Sequence, residues 1–366
     1  MPIDVVGHNN RNSYILVLGM GGTISGVSEN AHNPLQYQAG KVSVKSLLEI
    51  VGLDSLGGSM VVSRQVANID SQNLTDEHLT ELGQLVIQSL DDPLLKGIVI
   101  THGTDTIEEV GIFLHLTCGN KARNASKRIV LTGAMLPSNA LLSDGPQNLA
   151  DALKWVSSEL DEYPGGVYGV FAGKVCLGRD LSKRHATDLD APLQAAHCSS
   201  IKALDPSWLS MLKSPQISSE IDLPIPESGA WPWVEILTSH AGARSETLQT
   251  WLSSGVQGLV IAGTGLGGFH SAWLPGVRIA ANQGIALVRS SRTGAGLVSK
   301  NTPEKEIDGM VPSGKLSAPK ARIALQLAFY ATRRTNGEGI SRTWQDVFVK
   351  TSYRHHNPKV SKKSED

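Results

Sequence analysis

The sequence has almost no net charge, few cysteines and no long apolar run, and each scarcity excludes a class of protein. Thirty-three Lys and Arg residues against 34 Asp and Glu residues leave a formal charge of −1, so no overall field attracts nucleic acid or an acidic membrane. No run approaches the roughly 18 apolar residues that a membrane-spanning helix needs. Small neutral or zwitterionic molecules are therefore the expected partners, with no role for nucleic acid or a membrane.

The three cysteines are Cys118, Cys176 and Cys198, and none of them lies in a CxxC pair or beside paired histidines. An odd number without such spacing favours reduced thiols, mostly used for packing, over a disulfide framework or a zinc site. The amino-terminal stretch MPIDVVGHNNRNSY is polar and lacks the basic-then-apolar pattern of a secretory signal. We therefore expect a soluble cytoplasmic protein that holds no metal.

The length of 366 residues and the 40% hydrophobic content are typical of two packed domains. A repeated cycle of strand, polar turn and helix predicts a doubly wound α/β domain with a mainly parallel sheet over residues 1–204. A stretch rich in Pro, Ser and Trp over 205–232 is the predicted linker. Residues 233–366 are predicted to form a smaller α/β domain, with a last helix over 319–332 and a solvated polar tail from about 350.

The stretch KGIVITHGTDTIEE, residues 96–109, is the first place to look for chemistry. A short apolar strand over 97–100 ends in a dense polar turn, just ahead of a helix predicted to begin at Ile107. Open α/β sheets bind their ligands at this end of a strand. Two interpretations stay open: Thr104 and Asp105 could belong to a catalytic group that needs a further base, or the turn could simply cap the helix.

Three other polar segments follow predicted strands or precede helices. Gly22 and Thr23 come directly after the strand over 14–18, where glycine lets the backbone approach a ligand closely. Residues 27–38 contain almost no aliphatic side chain and end at Tyr37, which is typical of a mobile surface loop that could act as a lid. A further polar turn covers residues 68–73.

The turn Gly263–Gly268 after the strand GLVIA matches the pattern G-x-G-x-x-G. A dinucleotide site would need an acidic residue about 20 positions later, but the next predicted strand ends at Arg289, Ser290 and Ser291. We therefore favour a close-packed turn over a nicotinamide cofactor site, and no cofactor is expected.

Taken together, these segments resemble the bacterial-type L-asparaginase/glutaminase family, in order from about residue 14 to about residue 332. The motifs that carry the resemblance are GGTISG at 21–26, THGTDTIEE at 101–109, GAMLPS at 133–138, DGPQNL at 144–149, GRDLSK at 178–183 and VRSSR at 288–292. HGTDT is the most specific of them. The resemblance implies hydrolysis of the asparagine side-chain amide to aspartate and ammonia without a cofactor, with variable activity on glutamine.

The resemblance also implies roles for individual residues. Thr23 would be the primary nucleophile and Tyr37 its hydrogen-bonding lid partner, with Lys183 supplying the basicity that Thr104 lacks and Asp105 orienting Lys183. The implied substrate-binding positions are Ser71 and Gln72 for the α-carboxylate and amino group, Asp105 also for the amino group, the backbone carbonyl of Ala134 near the amide, and Gly22 and Gly103 beside the two threonines. A double displacement through an acyl-enzyme is expected.

The chain departs from the family pattern at several positions. Met20 stands where the family usually has Thr, and Leu136 replaces a common Arg. In related enzymes, the second domain of the neighbouring subunit contributes a polar side chain near the turn that is Leu266–Gly268 here. No Asn occurs in this turn. The match of Glu304 to an acidic partner in the family is ambiguous. The family assembles as a homotetramer of intimate dimers, so an oligomer is expected here.

Three other functions are kept as alternatives. The chain could be the ammonia-releasing subunit of a tRNA-dependent amidotransferase, although no extra amino-terminal domain or basic patch supports this. From different classes, a nicotinamide-dependent oxidoreductase rests only on the turn at Gly263, and a non-catalytic amino-acid sensor would retain the binding scaffold without efficient turnover.

Overall fold

The computed structural model describes most of the chain. The described residues are 4–5, 13–30, 32, 36–52, 55–56, 59–158, 164–189, 198–201, 208, 210, 212, 222–299, 307–335 and 343–352.

The larger domain is built on a nine-stranded, mainly parallel sheet. Its strands are β1 Asp4–Val5, β2 Tyr14–Gly21, β5 Ser55–Leu56, β6 Ser59–Ile69, β7 Leu95–Thr101, β8 Arg128–Thr132, β9 Gly166–Phe171, β10 Lys174–Leu177 and β11 Cys198–Ser200. The spatial order is β1-β6-β2-β7-β8-β9-β10-β11, with β5 paired to β6. The five strands from β6 to β9 pair in parallel, whereas β10 and β11 pair antiparallel at one edge. The doubly wound fold class is thus confirmed.

Apolar side chains line both faces of this sheet, because helices cover it on both sides. The helices are α1 Val44–Val51, α2 Asp76–Leu90, α3 Ile107–Asn124 and α4 Gly145–Ser157. Ile15 and Val17 contact the α4 side, whereas Leu16 and Leu18 contact the α2 and α3 side. This alternation follows from the two-residue period of a strand.

The starts of α2 and α3 are capped in different ways. Thr75 caps α2, since its hydroxyl accepts from the backbone N–H of His78 and the His78 ring accepts from Thr75 N in return. At the start of α3 the capping interpretation is wrong. Thr106 occupies the cap position without a side-chain capping bond, and its hydroxyl instead donates to the carbonyl of Ser71.

The smaller domain contains a four-stranded parallel sheet in sequence order. Its strands are β12 Val234–Thr238, β13 Gly258–Gly263, β14 Ala286–Ser291 and β15 Met310–Pro312, and its helices are α5 Ser245–Ser253, α6 Leu274–Asn282, α7 Ala318–Thr335 and α8 Trp344–Ser352. The predicted final helix is α7, while β15 and α8 were not predicted. Phe348 of α8 is fully buried, and residues 353–366, which include most of the predicted polar tail, lie outside the described part.

The turn Gly263–Gly268 closes on itself. Thr264 N donates to the Gly268 carbonyl over 2.6 Å, and the Arg289 guanidinium donates to the Leu266 carbonyl. The next regular element is a 3₁₀ turn at Ser271–Trp273, followed by α6. The glycines therefore do not open a helix, which a dinucleotide fingerprint requires, and the predicted close-packed turn is confirmed.

The cysteine prediction was wrong for two of the three residues. Cys176 of β10 and Cys198 of β11 form a disulfide across an antiparallel pair, with Cα atoms 4.4 Å apart. The sequence could not reveal this bond, because 22 positions separate the two residues and only strand pairing brings them together. Cys118 in α3 is a buried free thiol, as predicted, and burial raises its pKa to about 12.

None of the described helices is long and apolar enough to cross a bilayer.

Candidate active site

Three polar turns meet at the carboxyl ends of β2, β6 and β7. A Cβ placed on Gly22 would lie 2.3 Å from both N and Cα of Gly103, and one placed on Gly103 would lie 2.4 Å from the Ser71 hydroxyl. Gly22 also has a φ of 80°, which disfavours other residues. These contacts leave no room for side chains, so glycine at positions 22 and 103 allows the turns bearing Thr23, Ser71 and Thr104 to converge.

Thr23 and Tyr37 form the first pair of functional groups. Thr23 lies in a 3₁₀ turn directly after Gly22, and its hydroxyl is 2.7 Å from the Tyr37 phenol. Burial raises the pKa of Tyr37, and the Asp70 and Asp105 charges raise it further, against the lowering effect of the Thr23 hydrogen bond. Tyr37 is thus a neutral hydrogen-bonding group at neutral pH and a poor candidate for a tyrosinate base.

The segment that carries Tyr37 forms a hairpin. β3 Val27–Ser28 pairs antiparallel with β4 Tyr37–Gln38, and Asn139 from the loop after β8 bonds both backbone groups of Ser28. Residues 31 and 33–35 lie outside the described part. Only 8% of Thr23 is exposed, and Tyr37 of this hairpin lies against its hydroxyl.

Thr104, Asp105 and Lys183 form the second group. The Lys183 ammonium donates to the Thr104 hydroxyl over 2.9 Å and to the Asp105 carboxylate over 2.6 Å. Lys183 follows the 3₁₀ turn Gly178–Asp180 at the end of β10, whereas Thr104 follows β7. Two strands, β8 and β9, lie between these elements in the sheet. Thr104 is buried, whereas the Asp105 side chain is 48% exposed.

Ser71 and Gln72 lie on the opposite wall, in the 3₁₀ turn Ser71–Asn73 between β6 and α2. Ser71 is buried, and its carbonyl accepts from Thr106, which ties this wall to the Thr104 turn. The exposed Gln72 amide donates to Asp70 over 3.0 Å. A hydroxyl, an amide and the carboxylates of Asp70 and Asp105 thus lie on turns that meet, a set of groups suited to a zwitterionic amino acid.

Ala134 lies between the two threonine turns. A Cβ added to Gly133 would lie 2.3 Å from the His102 carbonyl, and one added to Gly145 would contact both Ile24 and Ala134. Ala134 is fully buried. All the predicted site residues therefore lie around one region of the larger domain, at the carboxyl ends of its strands.

Asp144 and Asn148 are two further residues of the site that the sequence did not indicate, although both lie in the DGPQNL motif. The Asp144 carboxylate accepts from the backbone N–H groups of Met135 and Leu136. Burial raises its pKa, and these two hydrogen bonds counteract the rise. Nothing in the residue types marked these side chains as supports of another turn, since that role depends on contacts with residues up to 24 positions away.

The side chains of His102 and Met20 are both buried in the interior. The His102 ring donates from Nδ1 to the Gly103 carbonyl over 2.7 Å, and burial lowers its pKa to about 4. The His102 ring is therefore neutral at pH 7, and it is too buried to act as a base for a bound substrate. Met20, at the departure from the family pattern, is buried in the core of the larger domain. Glu304, the ambiguous acidic match, lies outside the described residues.

A charged junction connects the site helices to the smaller domain. Arg322 of α7 lies 3.8 Å from Glu109 of α3 and 3.9 Å from Asp76 of α2, and these three line a cavity of about 330 Å³ together with Gln72 and Thr106. Burial raises the pKa of Glu109 to about 7, with Glu108 and Asp76 adding to the rise and Arg322 opposing it.

This shift predicts how stability depends on pH. The pKa of Glu109 is about 7 in the folded protein against an ordinary value of 4.5, so folding favours its protonated form. The resulting cost to stability is absent below about pH 4.5 and grows until about pH 7. Relative to the unsubstituted protein, the Glu109→Gln variant should therefore gain up to about 3 kcal/mol of unfolding free energy between about pH 5 and about pH 7.5.

Denaturant unfolding at both pH values measures this gain. Glu81→Gln, at an exposed position on α2, is the control and should not change the pH dependence. A Glu109→Gln effect that is equal at both pH values would contradict the assignment.

Comparisons with known proteins agree with this architecture. The model of the family described as Asparaginase, N-terminal matches residues 14–216, and the Glutaminase/Asparaginase C-terminal domain matches residues 233–338. L-asparaginase 2 of Escherichia coli strain K12 is 33% identical over 326 residues, which cover 87% of this chain and 89% of that protein. The glutaminase-asparaginase of Acinetobacter glutaminasificans is 31% identical, over 87% of this chain and 95% of that one.

The same similarity holds in three dimensions. The crystal structure of a probable cytoplasmic L-asparaginase from Campylobacter jejuni superimposes with a TM-score of 0.72 at 27% identity, covering 93% of this chain and all of that one. Family models that match both domains, relatives above 30% identity and a shared fold lead to one conclusion: the chain belongs to the asparaginase/glutaminase family.

Proposed function

We propose that the protein hydrolyses the side-chain amide of L-asparagine to L-aspartate and ammonia. One observation carries the proposal: the Thr23–Tyr37 pair and the Thr104–Lys183–Asp105 group, from four separate segments, converge beside Gly22 and Gly103. An amide needs a nucleophile, a route for protons and groups that recognise the amino acid. The names of the relatives, which include L-asparaginase and glutaminase-asparaginase, support the same activity.

In the proposed first step, the Thr23 oxygen attacks the amide carbon. The carbon–nitrogen bond breaks, and the Thr23 proton ends on the departing ammonia, which leaves an ester on Thr23. Because the raised pKa of Tyr37 opposes its ionisation, the phenol orients the Thr23 hydroxyl and relays its proton. Lys183 donates to the Thr104 oxygen, which leaves the Thr104 hydrogen free to donate to the leaving nitrogen.

In the second step, water hydrolyses the ester. Its oxygen bonds to the acyl carbon and one hydrogen returns to the Thr23 oxygen, which releases aspartate. The Thr104–Lys183–Asp105 group takes part as the proton carrier in both steps. Asp105 also holds the substrate ammonium together with Gln72, while Ser71 holds the α-carboxylate.

Entry of substrate requires the Tyr37 hairpin to move. Thr23, Ser71 and Thr104 are all less than one tenth exposed, so the hairpin of β3 and β4 is proposed as the lid. Glutamine, one methylene longer, is proposed as a weaker substrate.

Ammonia release with asparagine and with glutamine is the deciding assay. We expect turnover of asparagine without any added cofactor or partner protein, and slower turnover of glutamine. Binding of asparagine without ammonia release would support the amino-acid sensor instead, and release only in the presence of a partner protein would support the amidotransferase subunit.

The assembly proposed is a homotetramer built from dimers, as the family resemblance implies, and the molar mass from light scattering measures it directly. A monomer of 39.0 kDa would contradict it.

The cytoplasm is the proposed compartment, supported by the similarity to a probable cytoplasmic enzyme. The Cys176–Cys198 disulfide makes this assignment worth testing, because disulfides persist mainly in oxidising compartments. Cell fractionation should recover the protein with the cytoplasm, and recovery from an oxidising compartment would contradict the assignment.

A further inference from the structure

The backbone around Ala134 is held from both sides by two side chains at the start of α4. On one side, the Asn148 amide donates to the Gly133 carbonyl over 3.0 Å. On the other, the Met135 N–H donates to the Asp144 carboxylate at 3.0 to 3.1 Å. The two clamping side chains are also bonded to each other over 3.1 Å, so they hold the turn as one unit.

Asn148 connects this unit to a second strand end. Its oxygen accepts from the backbone N–H of Ala172 over 2.8 Å, in the β9–β10 hairpin, where Ala172 has a φ of 47°. Only 1% of Asn148 is exposed. A buried side chain that uses both its oxygen and its nitrogen in this way has little freedom to reorient.

The clamp fixes the direction of the Ala134 carbonyl. The Ala134–Met135 peptide bond is trans, so its C=O and N–H point in opposite directions. Because the N–H points at Asp144, the carbonyl points away from α4. It accepts no hydrogen bond from any residue that the structure describes, although Ala134 is fully buried.

A buried carbonyl without a donor is uncommon and costs free energy. This one lies between the turns of Thr23 and Thr104, since Ala134 and Ile24 belong to one buried cluster and a Cβ added to Gly133 would lie 2.3 Å from the His102 carbonyl. The side-chain amide of asparagine carries N–H donors, whereas an ester or a carboxylate at the same place carries none.

We propose that Asp144 and Asn148 are positioning residues that aim the Ala134 carbonyl at the amide nitrogen of the substrate. The inference rests on the proposed function and extends it, because it assigns selectivity for amides over esters and acids to this clamp. Neither side chain needs to touch the substrate.

The test compares two substrates that differ only in the leaving group. L-asparagine and the β-methyl ester of L-aspartate share the carbonyl, the amino group and the α-carboxylate, but the ester oxygen has no hydrogen for Ala134. In Asp144→Asn, kcat/KM for asparagine should fall roughly 10- to 100-fold, while kcat/KM for the ester changes less than about threefold. Asn148→Asp, which removes the donor to Gly133, should give the same difference.

A merely structural role would lower both activities together, and equal losses in either folded variant would overturn the inference. The matched control is Asp151→Asn on the same helix, whose carboxylate bonds only the exposed Gln147 among the described residues. It should leave both activities unchanged. If the unsubstituted protein releases no ammonia from asparagine, the proposed function itself fails, which is a distinguishable result.

Binding provides a second readout that does not depend on turnover. In a Thr23→Ala background, calorimetry should show that Asp144→Asn weakens the affinity for asparagine relative to that for aspartate by about tenfold. An unchanged ratio would contradict the clamp even if the ester proves to be a poor substrate.

Discussion

Replacing Thr23 with Ala should abolish ammonia release from asparagine, with a loss in kcat of more than about 10³-fold. The substitution removes the oxygen that forms the covalent intermediate, while Tyr37 and the Thr104–Lys183–Asp105 group remain. Asparagine should still bind, because Ser71, Gln72 and Asp105 are unchanged. Rapid-quench kinetics should detect no burst of ammonia.

Two further variants sharpen this test. Thr23→Ser keeps a hydroxyl at the same place and should retain measurable turnover. Thr250→Ala removes a hydroxyl on exposed α5 that bonds only the Glu246 carbonyl among the described residues, and it should behave as the unsubstituted protein. Near-normal turnover by Thr23→Ala would transfer the nucleophile role to another residue, with Thr104 the first to examine.

Replacing Asp105 with Asn should lower kcat/KM for asparagine by on the order of 10³-fold. The carboxylate has two tasks in the proposed mechanism. It pairs with Lys183 over 2.6 Å, and it provides the negative charge that attracts the substrate ammonium. Because the variant loses both, KM should rise and kcat should fall.

Two measurements on Asp105→Asn separate its effect on binding from its effect on catalysis, and Asp188→Asn is the control variant. Asp188 pairs with His185 in the same segment as Lys183, but both side chains are at least half exposed, so little change is expected. Steady-state kinetics give kcat and KM, and calorimetry with L-aspartate reports binding alone. Normal binding and hydrolysis in Asp105→Asn would show that Asp105 has no role in substrate binding or catalysis.

Much of the fold could be predicted because apolar periodicity marks buried strands and helices directly. The predicted strand over 97–100 lies within β7, and α3 begins at Ile107 as predicted. Errors occurred where one side chain has several possible partners. Thr106 could cap its helix by type, but its hydroxyl bonds Ser71 across the site, a choice set by the approach of two distant turns.

The amino-acid sequence by itself determined the doubly wound fold, the family and the set of polar residues at the carboxyl ends of the strands, since these depend on local patterns and motifs. Only the tertiary structure decided the Cys176–Cys198 bond, the high pKa of Glu109 and the clamp of Asp144 and Asn148 on the Ala134 turn. Each of these depends on burial, or on distances between residues far apart in the chain, and such distances are set when the sheet and helices pack together.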